Sequence, residues 1–347
     1  MGEWAPDVLG DEFAQRTLPL GHDDEGEVVA TLVRALPATP EQAPAPTFWQ
    51  RLRGVRPAPA PTSPQADVDV LYVHGWSDYF FQKRLARFWT ARGARFFALD
   101  LRKYGRSLRP GQTPGYITDL ATYDEDIGAA LEAMQEDAAD RRLVLFGHST
   151  GGLILSLWAA RNPGAAQAVV LNSPWLEFQL PRFTRETITP LVDLQARFRP
   201  LDRAPQVDFG FYTRAQNEVA DPDDPVQVNL EWRPEQTMAV HAGWLNAILA
   251  GHAKVATGLR IEAPVCVLLS ARTAVPRAWS EELTRADSVL VVDDIARAAL
   301  KLGPSVTVER IDGALHDVFL SRHDAREDAY ARLGRWVTGW SAASSEN

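Results

Sequence analysis

A serine hydroxyl becomes a working nucleophile only beside a base, open to a carbonyl carbon and close to donors that hold the resulting oxyanion. Ser149, in Gly147-His148-Ser149-Thr150-Gly151, is placed for that chemistry. The apolar run Leu143-Val144-Leu145-Phe146 leads into the motif and Gly152-Leu153-Ile154-Leu155 leads out. A strand is therefore expected to turn straight into a helix, with Ser149 lifted at the turn and the glycines permitting its tightness. Two backbone N–H donors are expected, from Thr150 after the nucleophile and from Trp76 in His74-Gly75-Trp76, which closes an earlier apolar run. The base expected from the histidines is His316, on a short loop between a strand at 305–311 and a closing helix. His22 precedes the sheet, His148 flanks the serine, His241 and His252 fall in a long insertion, and His323 opens a polar helix.

The elements that must position these groups follow from periodicity. Residues 17–36 read as two β-like runs around a turn, and 1–36 as N-terminal strands joining the sheet. Residues 37–67 are a connector rich in Pro and Ala. Then β and α patterns alternate: strands at 68–73, 94–99, 143–146 and 167–171, and helices at 79–92, 118–139 and onward from the serine to 161. Continuous apolar strands separated by helices predict an α/β fold with a mostly parallel central sheet covered on both faces. After Asn172-Ser173-Pro174 the alternation stops, which predicts a cap inserted at 174–259, with helix-like stretches at 181–198 and 234–255. It resumes at 265–269 and 305–311 before a helix at 324–340, so the core comprises 68–173 and 260–343.

With these residues in place, the chain resembles the α/β-hydrolase superfamily, and most closely its serine aminopeptidase-like group, which includes monoacylglycerol lipases and lysophospholipases. The resemblance spans about residues 68–340 and rests on "YVHGWSDYF", "ALDLRKYGRS", "LFGHSTGGLI", the cap after "LNSPW", and "RIDGALHDVFLS". It implies the α/β-hydrolase fold and hydrolysis of carboxylic esters by a Ser-His-Asp triad through an acyl-enzyme, with no metal or organic cofactor. Asp100 and the glycine-serine loop after it match a structural stretch of that group. The resemblance also implies that the acid falls between serine and histidine, a few residues after the strand preceding the histidine's own strand. Leu269-Ser270-Ala271-Arg272-Thr273-Ala274-Val275-Pro276 offers no carboxylate there. Asp287 is the expected acid, with 271–286 read as an inserted loop and room left for one helix and one strand before His316. Asp293 is its rival, with N-capping of the helix at 293–302 as its other duty.

The cap is rich in aromatics, including Trp175, Phe178, Phe183, Phe209, Phe211, Tyr212, Trp232 and Trp244. His74, Trp175, Phe178 and Trp244 are assigned to a substrate pocket for a hydrophobic small-molecule ester. Two other readings stand beside this one. One is a peptidase or amidase whose substrate amine would meet Glu218, Asp221, Asp223 and Asp224, and the other is a catalytically silent ligand-binding scaffold. A net charge of −9 and the absence of a basic run argue against nucleic acid as a partner. No run of 18 apolar residues and no secretion signal is found, and the single Cys266 suits a reducing cytoplasm.

Overall fold

Strands that are apolar on both faces can lie only inside a sheet that is covered on both sides. Such strands are β4 (Val68–Val73), β6 (Arg142–His148), β7 (Ala168–Asn172) and β8 (Val265–Ser270), buried almost throughout. The computed structural model describes residues 2–37, 65–136, 140–178, 192–204, 208–222 and 224–344. Among them, β1 (Ala5–Pro6), β2 (Phe13–Asp23), β3 (Gly26–Ala35), β5 (Arg95–Asp100) and β9 (Val306–Ile311) complete a nine-stranded sheet of order β1-β2-β3-β5-β4-β6-β7-β8-β9. From β5 to β9 in that order neighbours are parallel, and the N-terminal strands join β5 antiparallel through β3.

Alternate residues of one strand serve opposite layers, as the period of two requires. Leu71 and Val73 pack with helices α2 (Tyr123–Gln135), α3 (Thr150–Arg161), α5 (Ala242–Thr257) and α6 (Val292–Ala299). Val70 and Tyr72 pack with α1 (Lys83–Thr90) and α7 (His323–Ser344). Because β4, β6, β7, β8 and β9 are parallel, their carboxyl ends share one edge, where crevices for ligands form in open α/β sheets.

Several element bounds differ from the sequence expectation, each for a local reason. The helix expected at 79–92 starts only at Lys83, since the Phe80 N–H is drawn to Asp100 Oδ1 at 2.9 Å. The helix expected at 118–139 opens as a 3-10 turn, Leu120–Thr122, because Asp119 accepts the Ala121 N–H at 2.9 Å. In the cap, the helix expected from 234 begins at Ala242. The residues before it are held in other bonds, Met238 N–H to Ser77 Oγ at 3.0 Å and Ala204 N–H to the Val240 carbonyl at 2.8 Å. Residues 192–198 are helical, while 179–191 and most of the expected connector, 38–64, lie outside the described residues. Helix α4 (Phe211–Glu218) was not foreseen, its sequence carrying no apolar stripe.

The acidic break of the cap is fastened to the core rather than solvated. Arg84 of α1 reaches Asp221 at 3.0 Å and Asp224 at 2.9 Å, and Arg326 of α7 reaches Asp221 at 2.7 Å. Glu218 pairs with Arg214, and Asp223 lies outside the described residues. Asp221, Asp224 and Glu218 are thus paired with arginines and stand outside the wall of the cavity that Ser149 lines, which weakens the sequence argument for an amine anchor.

Candidate active site

Ser149 stands between β6 and α3 with φ 51° and ψ −117°, a region that bulky residues rarely enter and that marks a strained turn. Its neighbours enforce that posture. A Cβ on Gly151 would lie 2.3 Å from the His74 carbonyl oxygen, and one on Gly147 would lie 2.6 Å from Gly152 Cα, so only glycine lets the turn close. The Ser149 N–H is bonded to the Asn172 carbonyl at 3.0 Å, and the Ser149 carbonyl accepts Trp175 N–H at 2.9 Å.

His316, on the loop after β9, brings Nε2 to 3.0 Å from Ser149 Oγ. Its Nδ1 lies 2.9 Å from Asp287 Oδ2. A carboxylate can only accept, so Nδ1 carries the proton and Nε2 presents a lone pair to the serine hydroxyl, an assignment made from partners. Asp287 is fully buried, and its Oδ1 accepts the N–H groups of Val289 at 2.7 Å and Leu290 at 2.8 Å.

Asp287 also makes a parallel bridge with Thr273, three residues beyond β8. The Asp287 N–H donates to the Arg272 carbonyl at 2.9 Å and its carbonyl accepts Ala274 N–H at 2.8 Å. The chain leaves the sheet edge at Thr273, makes an excursion, and returns beside its point of departure. The excursion has a small core of Ala274, Leu283 and Ala286, and its Trp279 meets α4, 6.0 Å from the Phe211 ring and 3.8 Å beneath the Arg214 guanidinium. Asp293, the rival acid, is exposed on α6 and paired with Arg310 at 2.6 Å. It is not the N-cap either; that position belongs to Val291.

Trp76, Ser149, Thr150 and His316 line one cavity of about 440 Å³ at the carboxyl edge. Thr150 is the first residue of α3, where an N–H has no partner within the helix and the macrodipole is positive. The loop bearing Trp76 presses on the serine, a Cβ on Gly75 falling 3.0 Å from Ser149 Cβ. Trp76, Trp175, Val240 and Trp244 give the cavity an apolar wall, with Trp76 and Trp244 ring centroids 3.9 Å apart. Phe209, Phe211 and Tyr212 also line it.

Two residues assigned to the pocket are elsewhere. His74 is completely buried beneath the turn, accepting the Leu101 N–H on Nε2 at 3.1 Å and engaging the Gly75 carbonyl through Nδ1 at 2.7 Å. It ties the end of β4 to the end of β5. Phe178 stacks behind Trp175, centroids 5.8 Å apart, and does not reach the cavity wall. Of the other cap aromatics, Trp232 packs on Tyr79 and Phe183 lies outside the described residues.

Sequence reasoning missed the polar lining. Asp78 and Arg233 face each other at 2.9 Å in the cavity wall, where burial raises the Asp78 carboxyl and the Arg233 charge pulls it back. Behind His316, Asp317 accepts Gln82 Nε2 at 2.7 Å, Asn172 Nδ2 at 2.8 Å and Phe319 N–H at 3.0 Å. His148 completes this layer, its ring 5.1 Å from that of His316, and burial holds it below the ordinary imidazole range. Only the position of Asp78, two residues past Trp76, hinted at any of this.

A family model described as "Serine aminopeptidase, S33" (Hydrolase_4) matches residues 64–320. A monoacylglycerol lipase of Mycolicibacterium smegmatis is 31% identical over 106 residues, 30% of this chain and 37% of that one. The chain spans about a third of the length of the curated relatives it matches. Among solved structures, a Paleococcus ferrophilus monoacylglycerol lipase aligns with TM-score 0.57 at 19% identity, covering 78% of this chain and 94% of that one. A soluble variant of the Saccharomyces cerevisiae monoglyceride lipase, in complex with a substrate analog, aligns with TM-score 0.59 at 15% identity, covering 97% and 99%. At these identities the two structures establish the shared fold.

Proposed function

Because the chain belongs to the serine aminopeptidase S33 family of α/β-hydrolases, we propose that it is a serine hydrolase that cleaves carboxylic esters with a hydrophobic acyl group. The observation that carries this reading is the line of contacts from Asp287 to His316 at 2.9 Å and from His316 to Ser149 at 3.0 Å. His316 Nε2 takes the hydroxyl proton as Ser149 Oγ bonds to the carbonyl carbon, and the N–H groups of Trp76 and Thr150 hold the oxyanion. His316 returns the proton to the departing alcohol oxygen, leaving an acyl-enzyme. A water deprotonated by His316 then releases the acid and frees Ser149. Asp287 orients the imidazole and stabilises its charged form without itself becoming protonated.

The tryptophan wall supports an apolar acyl group, in keeping with the lipases among the relatives. Of the acids that line the cavity, Asp208 accepts the N–H groups of Gly210 and Thr237 and Asp78 pairs with Arg233, so Glu235 is the carboxylate that an amine-bearing substrate would meet. No helix among the described residues is long and apolar enough to cross a membrane. The lone cysteine, buried in β8, supports a reducing compartment such as the cytoplasm.

A fluorophosphonate probe tests the nucleophile, with labelling expected for the native protein and lost in Ser149→Ala. Equal labelling of both would end the proposal. A series of p-nitrophenyl esters from acetate to palmitate, compared with aminoacyl p-nitroanilides, tests the substrate class. Faster turnover of the anilides would replace an esterase by an amidase.

A further inference from the structure

Excluding water and shaping a pocket do not require a cap to touch the catalytic base. This cap does touch it. The Tyr212 phenol oxygen on α4 accepts the Asp317 N–H at 3.1 Å, the peptide directly after His316. The Tyr212 ring meets the His316 imidazole edge-on, with centroids 5.7 Å apart. One turn further along α4, Gln216 donates to the same phenol oxygen at 2.8 Å and accepts Arg233 Nη2 at 2.6 Å. Arg233 in turn faces Asp78, on the loop that carries Trp76. The result is a continuous polar chain from the Trp76 loop to the His316 loop, and its three middle members belong to the cap.

A charged pair withdrawn from water is expensive unless its geometry and hydrogen bonding are complete, so a sequence that retains one gains fixed placement more readily than stability. A satisfied buried network also allows few alternative arrangements. The cap does not need this chain to stay attached, because Arg84 and Arg326 already fasten it to α1 and α7. The inner chain instead ends on the two loops that must stay in register for Ser149 to react.

We propose that Tyr212, Gln216 and Arg233 are positioning residues through which the seated cap fixes the His316 loop relative to the Trp76 loop, making turnover of any ester depend on the cap being seated. The inference rests on the Ser149–His316 reading given above.

Gln216 lies outside the wall of the active-site cavity, so Gln216→Met cuts two links of the chain without touching substrate. With p-nitrophenyl acetate, a substrate too small to need the cap for binding, kcat is expected to fall about 10- to 100-fold with KM held within about twofold. The rate of fluorophosphonate labelling should fall in parallel while the melting transition stays cooperative. Tyr212→Phe keeps the ring, removes the acceptor and should cost as much, and the double variant should lose little more than either single one. Should Gln216→Met not fold, Tyr212→Phe alone decides on the same kcat and labelling rates. A wild-type kcat in the folded variants, a change confined to KM, or losses that multiply in the double variant would each overturn the inference. A native protein inert to the probe would instead overturn the nucleophile reading on which it rests.

Discussion

Asp287 and Asp293 carry the same chemical group six positions apart, yet only one is held where it can orient His316. Asp287→Asn is expected to cut kcat by about 10³- to 10⁴-fold, because the amide stabilises the wrong imidazole tautomer. Asp293→Asn should leave kcat unchanged and stability within about 0.5 kcal/mol, since it loses only an exposed ion pair. Steady-state kinetics and melting of the two variants check both statements. His74 gives a second prediction at this scale. Burial lowers both His74 and His148, so the folded chain keeps these rings neutral while the unfolded chain takes up protons near pH 6.5. Their stability contribution is therefore whole above about pH 6.5 and is lost as pH falls toward the folded values. These two rings should pull the urea midpoint down between pH 7.5 and 5.5, against Asp126, whose carboxyl burial pushes up to about 6 and which therefore gains stability over the same fall. His74→Gln, which can still accept the Leu101 N–H, should lower the midpoint at neutral pH but flatten its slope. A slope as steep as that of the native protein would remove His74 as a source of the acid sensitivity.

At the scale of elements, what the sequence could reveal depended on how each element is held. Strands β4, β6, β7 and β8 were legible because burial on both faces leaves unbroken apolar runs. The serine turn was legible because two glycines bracket it where no other residue fits. Helix α4 was not, because much of what fixes it is polar and distant, Tyr212 to the Asp317 N–H and Gln216 to Arg233. The start of α1 was set by Asp100, far along the chain from Phe80. His74 was misplaced because the pattern His-Gly after a strand says where the backbone goes and nothing of where the ring turns. Two glycine substitutions separate these kinds of constraint. Gly151→Ala should destabilise by about 3 kcal/mol, as its methyl would meet fixed backbone of β4. Gly128→Ala, in α2 with open space around it, should stabilise by about 0.5–1 kcal/mol. Thermal or urea unfolding of the pair measures the contrast.

For the whole molecule, the outer ion pairs and the inner polar chain make separate demands on the cap. Asp221→Asn removes the carboxylate shared by Arg84 and Arg326, and with Arg326 only 6% exposed it should cost about 1–3 kcal/mol. Limited proteolysis should then cut within 174–259 sooner than in the native chain, and an unchanged cleavage rate would show that the rim pairs do not hold the cap. The excursion between Thr273 and Asp287 puts the carboxylate that meets His316 beyond the reach of any reading by fixed distance along the sequence. It has a second consequence, since the residues that delay the acid are also those against which α4 leans. The excursion is a plinth, built from the core and carrying the cap helix that reaches His316. Without that plinth the cap would rest on its two points of attachment and on the pairs that Arg84 and Arg326 make. The chain that separates β8 from Asp287 is therefore also the ground on which α4 stands, so shortening it would move the cap as well as the carboxylate.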